Sequence, residues 1–316
     1  MIPVAEVIAA RDRIAPHLRQ TPVTVDHALH VWLKWENQQV TGSFKPRGAL
    51  NKVLSLSPGE LEAGLVACSA GNHGQAVALA GQLRGARTTV YASEHASPLK
   101  LAKMHELGAE VILVPGNYDA AEAAAIRNAS ESGRVFISPY NDRQVMTGAG
   151  TLGLELLDQT RPRSVLIPTG GGGLLGGVGS VLKQASPSIR VIAVQNETSA
   201  YLHQKFHGGD MRAVVEKPSL ADGLSGAPEA GSQTIPLMHE IADDFLLVTE
   251  DEIADAIAHA YRAHGQIIEG SAAVGLAAVL AGKFLPDQQT LVIVTGGNID
   301  PDKHRTLVEG KLNRTS

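Results

Sequence analysis

The residues of this 316-residue chain that could do chemistry are a lysine set among small residues, a run of glycines, and two short loops of hydrogen-bonding side chains. Lys45 lies in Thr41-Gly-Ser-Phe-Lys-Pro-Arg-Gly-Ala49. Held away from water, a lysine amine gives up its proton and can condense with an aldehyde to form a Schiff base; read alone, Lys45 equally suits an ordinary helix start. Gly170 to Gly173 follow the apolar run Val165–Pro168 and precede a helix expected to open near Leu174. Successive glycine N–H groups can point into one concavity at a helix N-terminus, which suits a phosphate. Gly171, Gly173 and Gly176, with Glu197 beyond them, also fit the dinucleotide fingerprint, so that rival stays open. Ser69-Ala-Gly-Asn-His-Gly-Gln75 offers Ser69, Asn72 and backbone amides to a carboxylate, or Asn72 to a phenolic oxygen; a plain helix cap explains either residue as well. Val294-Thr-Gly-Gly-Asn298 places Thr295 where it could bond a ring nitrogen, or simply end a strand.

Short apolar runs alternating with helix-period segments must position these loops, a pattern that gives parallel sheets with crossover helices. Strands are expected at 65–69, 88–91, 110–114, 135–138, 164–168, 190–195, 245–248 and 290–295, with helices at 73–83, 98–107, 119–130, 151–158, 250–264 and 272–284. The fold class is α/β, with two open, twisted, mainly parallel sheets. The polar turn Pro139-Tyr-Asn-Asp142 suggests a small domain at 64–141 that closes over a substrate, and a large cofactor-binding domain from 1–63 and 142–316. Lys205 to Gln233, rich in Gly and Pro, reads as a long functional or mobile excursion.

Composition narrows the partners. With 44% hydrophobic and 19% charged residues the chain is globular, and a net charge of −5 argues against a nucleic-acid partner. Charges within the first twenty residues break any signal-peptide core, and no long uncharged apolar stretch suggests a membrane span, so a cytoplasmic location is expected. Cys68, the single cysteine, excludes an intrachain disulfide.

Together, in this order, the four segments around Lys45, Asn72, Gly170–Gly173 and Thr295 resemble the fold type II pyridoxal-phosphate enzymes, tryptophan synthase β-subunit-like in fold, and specifically the serine/threonine dehydratase and serine racemase group. The resemblance implies pyridoxal 5′-phosphate bound to Lys45, with Phe44 beside the ring, Asn72 on the ring oxygen and Thr295 facing the ring nitrogen. Gly170, Gly171, Gly172, Gly173 and Leu174 would hold the phosphate; Ser69, Ala70, Asn72 and His73 would take the substrate carboxylate. The implied activity is conversion of an L-β-hydroxy amino acid such as threonine or serine to a 2-oxo acid and ammonia by α,β-elimination, with Lys45 taking the Cα proton. The alternatives are β-replacement or racemisation on the same fold, or a nicotinamide-dependent reaction. A homodimer is the family habit.

Several positions depart from the group's pattern. Ala70 stands where serine racemases have a serine acting as the opposite-face base, which favours one-sided elimination. Val194-Gln-Asn196, with Ala200 or Tyr201, replaces the racemase-like metal ligands, so no metal is expected there. His203 and His207 are expected on a solvated helix face. The segment from Thr21-Pro22 to Trp32 is short for the group. Gly148-Ala-Gly150, where the group often has a glutamine in the middle, and Glu269-Gly-Ser271, where proline commonly follows the acid, suggest room for a substrate bulkier than serine; Glu269 could position the cofactor or the lysine, or equally be a solvated glutamate at a helix start. Only 18 residues follow Asn298, so no appended regulatory domain is expected.

Overall fold

The structure, a computed structural model, describes residues 1–96, 98–229 and 231–312. Among the described residues ten strands run in chain order: β1 Val23–Asp26, β2 Val31–Trp35, β3 Leu65–Cys68, β4 Thr88–Ser93, β5 Glu110–Val114, β6 Val135–Phe136, β7 Ser164–Pro168, β8 Arg190–Asn196, β9 Asp244–Val248 and β10 Thr290–Val294. They form a six-stranded sheet in the order β1-β2-β10-β7-β8-β9 and a four-stranded sheet in the order β5-β4-β3-β6. Every pairing is parallel except the β1–β2 hairpin. The fold class is thus α/β with two mainly parallel sheets and flanking helices.

The expected strands recur with small shifts at their ends, whereas the β1–β2 hairpin has no counterpart among them. Lys34, the fourth of the five residues of β2, is fully enclosed, and a lysine between two tryptophans hides the apolar run that usually marks a buried strand. The helix expected at 151–158 begins at Arg143, because Asp142 caps it by accepting from the N–H groups of Gln144 and Val145. The turn at Pro139–Asp142 therefore leads straight into a helix, Arg143–Gln159.

The helix Lys45–Leu54 connects the two sheets. Its Ala49, Leu50 and Val53 share one apolar cluster with Leu65 and Ala67 of β3, Ala76 and Val77 of the helix Asn72–Arg84, and Val145 of the helix Arg143–Gln159. Close packing here relies on small residues. A side chain at Gly148 would collide with the Arg47 carbonyl and Asn51, and one at Gly150 would press on Gly177 and Val7. Gly148 and Gly150 therefore serve helix packing.

Candidate active site

Lys45 is the first residue of its helix, and the preceding loop is bound to the end of β10. Thr41 and Gly42 adopt left-handed backbone (φ 60° and 73°), turning the chain so that Ser43 bridges Gly296 and the Phe44 N–H donates to the Thr295 carbonyl at 3.0 Å. Gly297 N–H donates to Gly42, and the Asn298 amide donates to the Thr41 carbonyl at 2.7 Å. The two segments read separately from the sequence are thus one unit. Asn72 joins it by accepting from Asn298 at 2.7 Å and donating to Glu269 at 2.6 Å. Glu269 packs directly over Gly296, where a side chain would collide with its carboxylate.

The electrostatics of this unit are unusual. The half-buried Lys45 amine donates to the Pro139 carbonyl at 2.9 Å and lies 5.2 Å from the centre of the Phe44 ring. Burial lowers its pKa to about 8, partly opposed by the Glu269 charge. Burial raises the Glu269 carboxyl to about 7, helped by Asp222 and opposed by the Asn72 hydrogen bond. His73 is held neutral, its pKa lowered to about 3 by burial and then by the Lys45 charge; its Nε2 meets the Ile137 carbonyl at 2.8 Å. Among the described residues, the Ser43 hydroxyl, the Thr41 hydroxyl and His73 Nδ1 are buried polar atoms without a partner.

Gly170 to Gly172 turn the chain from β7 into the helix Gly173–Ala185, with Gly172 left-handed (φ 87°) and no side chain capping the helix. The first N–H groups of a helix lack intrahelical acceptors, so this end is free to hold an anion. Side chains added at these glycines would strike Leu224, Tyr140 or Thr234. Gly176 lies inside the helix against Leu237 and Met146, and Glu197 is exposed just after β8.

The loop at Ser69 is not a plain cap. The Ser69 hydroxyl accepts from Gly71 N–H at 3.1 Å, the Asn72 amide is turned toward Glu269 and Asn298, and the helix Asn72–Arg84 opens without a side-chain cap. Ser69, Ala70 and Asn72 are half-buried and His73 is buried. Thr295, buried, and Leu174, buried, sit at the ends of β10 and at the start of the glycine-turn helix.

Sequence reasoning missed three contributors. The Pro139 carbonyl holds the lysine, Tyr140 covers the glycine turn with its ring over Gly171 and its backbone against Gly173, and Lys103 donates to Asn298 at 2.9 Å. Pro139 and Tyr140 had read only as a boundary. The excursion 205–233 lies beside the site: Leu224 packs on Gly170, Gly223 N–H donates to Ser271 at 2.9 Å, and Glu229 N–H donates to the Tyr140 hydroxyl at 2.9 Å. His203 is half-buried, its ring 4.5 Å from His207 and 5.6 Å from Phe245, whereas His207 is exposed, so the expected solvated position holds for His207 and His203 turns into an aromatic cluster.

A family model described as pyridoxal-phosphate dependent enzyme matches residues 14–296. The chain is 41% identical to the L-threonine ammonia-lyase of Thermotoga maritima over 271 residues, 85% of this chain and 67% of that protein. It is 36% identical to a catabolic L-threonine dehydratase of Staphylococcus aureus across 99% of this chain and 94% of the other. Among solved structures, maize serine racemase superposes with a TM-score of 0.88 at 30% identity, covering 99% and 98% of the two chains.

Proposed function

Because the chain belongs to the pyridoxal-phosphate dependent enzymes, we infer that it is an ammonia-lyase that converts an L-β-hydroxy amino acid such as threonine or serine to a 2-oxo acid and ammonia. The observation that carries this reading is the Lys45 amine, enclosed beside an aromatic ring with a carbonyl partner and an ordinary pKa lowered to about 8. The surrounding groups fit pyridoxal phosphate: a free lysine amine, a glycine turn opening an uncapped helix, and the unpartnered Ser43 hydroxyl. Lys45 would hold the cofactor with Phe44 beside it, Asn72 and Thr295 at its ring, and the N–H groups of Gly170 to Leu174 at its phosphate.

When bound, the pyridoxal group would supply an electron sink that makes the substrate's Cα–H bond acidic. Lys45 then removes that proton, and a positioned general base contributes typically about 10²–10⁴-fold. Ser69, Ala70, Asn72 and His73, with the uncapped amides of their helix, hold the substrate carboxylate and fix Cα over the lysine. Thr295 presents a hydroxyl and no carboxylate to the ring nitrogen, which moderates electron withdrawal and favours elimination over transamination. The 64–141 unit closes over the bound substrate, excluding water. Ala70 offers no exchangeable proton on the opposite face, so racemisation is the weaker reading although a serine racemase shares the fold. Assembly as a homodimer in the cytoplasm completes the proposal.

The test is a screen of hydroxy amino acids with protein reconstituted with pyridoxal phosphate. Release of ammonia and a 2-oxo acid in equal amounts, with no added nucleophile, is expected. Product formation only when a thiol or another nucleophile is supplied would replace the lyase reading by β-replacement.

A further inference from the structure

A cluster of metal-ligating side chains lies on the hairpin edge of the large sheet. Among the described residues, Asp26, His259 and His264 bring one donor atom each within 4.8 Å of the others. Asp26 ends β1 and pairs in register with Val31, whose parallel partner is Thr290, the first residue of β10. The lysine loop meets β10 beyond its last residue, so the cluster sits toward the opposite end of the strands. His259 and His264 come from the last turns of the helix Glu250–His264. We propose that Asp26, His259 and His264 form a binding site for a borderline divalent cation of the zinc type, clamping the β1–β2 hairpin to this helix.

Three features of the geometry favour a ligand set over a chance meeting of polar groups. First, Asp26 is only 3% exposed, and its two oxygens are divided in use: Oδ1 accepts from the N–H groups of Ala28 and Leu29 at 3.0 Å each, while Oδ2 faces both imidazoles. The backbone thereby orients the carboxylate as an outer partner orients a metal ligand. Second, both histidines present the same atom, Nε2, to the same oxygen, at 2.6 and 2.9 Å, and Trp35 packs 5.3 Å from the His264 ring. Third, two imidazoles and one carboxylate are the donor set of open tetrahedral zinc sites, which keep a fourth position for water. Zinc bonds of about 2.1 Å at tetrahedral angles require donors about 3.4 Å apart, so each imidazole need retreat from Oδ2 by less than about 1 Å. The ion replaces the protons now bridging Nε2 and Oδ2, which pass to Nδ1 or to solvent.

The experiment uses the full-length protein after dialysis against a chelator, titrated calorimetrically with Zn²⁺ and, in parallel, with Co²⁺ while the visible ligand-field spectrum is recorded. One equivalent of tight uptake, a tetrahedral Co²⁺ spectrum and a melting temperature that rises with Zn²⁺ are expected. His259→Ala and His264→Ala should each weaken uptake by at least the roughly 100-fold that loss even of an outer partner can cost. Asp26→Asn, which keeps the shape of the side chain, guards against simple misfolding. The site is refuted by absence of stoichiometric uptake in the parent protein, which would leave the cluster a hydrogen-bonded triad. It is equally refuted by uptake that all three variants retain, which would place the metal on other histidines. Ammonia-lyase activity is not the readout, so failure here leaves the proposed reaction untouched.

Discussion

Lys45 and Arg47 begin the same helix, separated only by Pro46, yet the protein treats their charges in opposite ways. The Arg47 guanidinium is 1% exposed and grips both oxygens of Glu36, with Nε at 2.7 Å and Nη2 at 2.8 Å, while Nη1 reaches Glu155 at 2.9 Å. Lys34 closes the cluster, donating to Glu155 at 2.7 Å and to the Thr21 carbonyl at 2.8 Å. Burial pulls the Arg47 pKa down, but its carboxylates more than offset this, and Glu36 in turn is held below the usual carboxylate range against its own burial. Among the described residues Lys45 meets a carbonyl and no carboxylate, and burial prevails. Enclosure is common to both positions; the partner differs. Carboxylates supplied two residues along and withheld at position 45 make one cation a fixed strut and the other a group that can lose its proton.

The largest effect should come from breaking the reactive side of this contrast. Lys45→Ala is expected to lower ammonia release by at least about 10³-fold, because the base and the cofactor linkage go together. Circular dichroism should show an unchanged fold, and a retained rate would remove Lys45 from the chemistry. Breaking the paired side should act on stability instead. Arg47→Met strands Glu36 in a dry site, and loss of one partner of a buried pair costs about 3–5 kcal/mol. Urea denaturation of the apoprotein should therefore show a clearly lower midpoint; a midpoint like that of the parent would mean that water reaches Glu36.

The same contrast explains what could be read from the chain. The lysine, the glycine turn and the Asn72 loop are contiguous motifs whose local chemistry is visible in a few residues, and the parallel strands announce themselves as apolar runs. The partners of the charged groups are not contiguous. Arg47 finds Glu155, 108 residues away, and Asp26 finds His259 and His264 across more than two hundred positions. Only the folded sheet order brings them together. Lys34 and Glu36, which look like surface charges, are buried because those partners exist.

A finer prediction concerns Glu269, the one carboxylate that influences Lys45 without being in hydrogen-bond contact with it. Its negative charge raises the lysine pKa, so Glu269→Gln should move the pH midpoint for condensation of the apoprotein with pyridoxal phosphate below that of the parent, whose lysine pKa is lowered to about 8. The direction follows because only the neutral amine attacks an aldehyde. Stability provides an independent reading. The Glu269 carboxyl is raised from 4.5 to about 7 on folding, so between those values the folded protein holds a proton that the unfolded chain has lost. Its contribution to stability is complete below pH 4.5 and is lost as the pH rises through about 7. Glutamine, which carries no titrating group, should flatten this fall in the difference between variant and parent. Lys45 works in the other direction: from about 8 to 10.5 the unfolded chain holds the extra proton, so apoprotein stability climbs with pH across that window. In the variant that climb should begin at lower pH, since the amine without Glu269 is still less able to keep its charge. A condensation midpoint that stays in place or moves upward would mean that the Glu269 charge does not reach the lysine. Enclosure would then lower the amine's pKa with no charge opposing it.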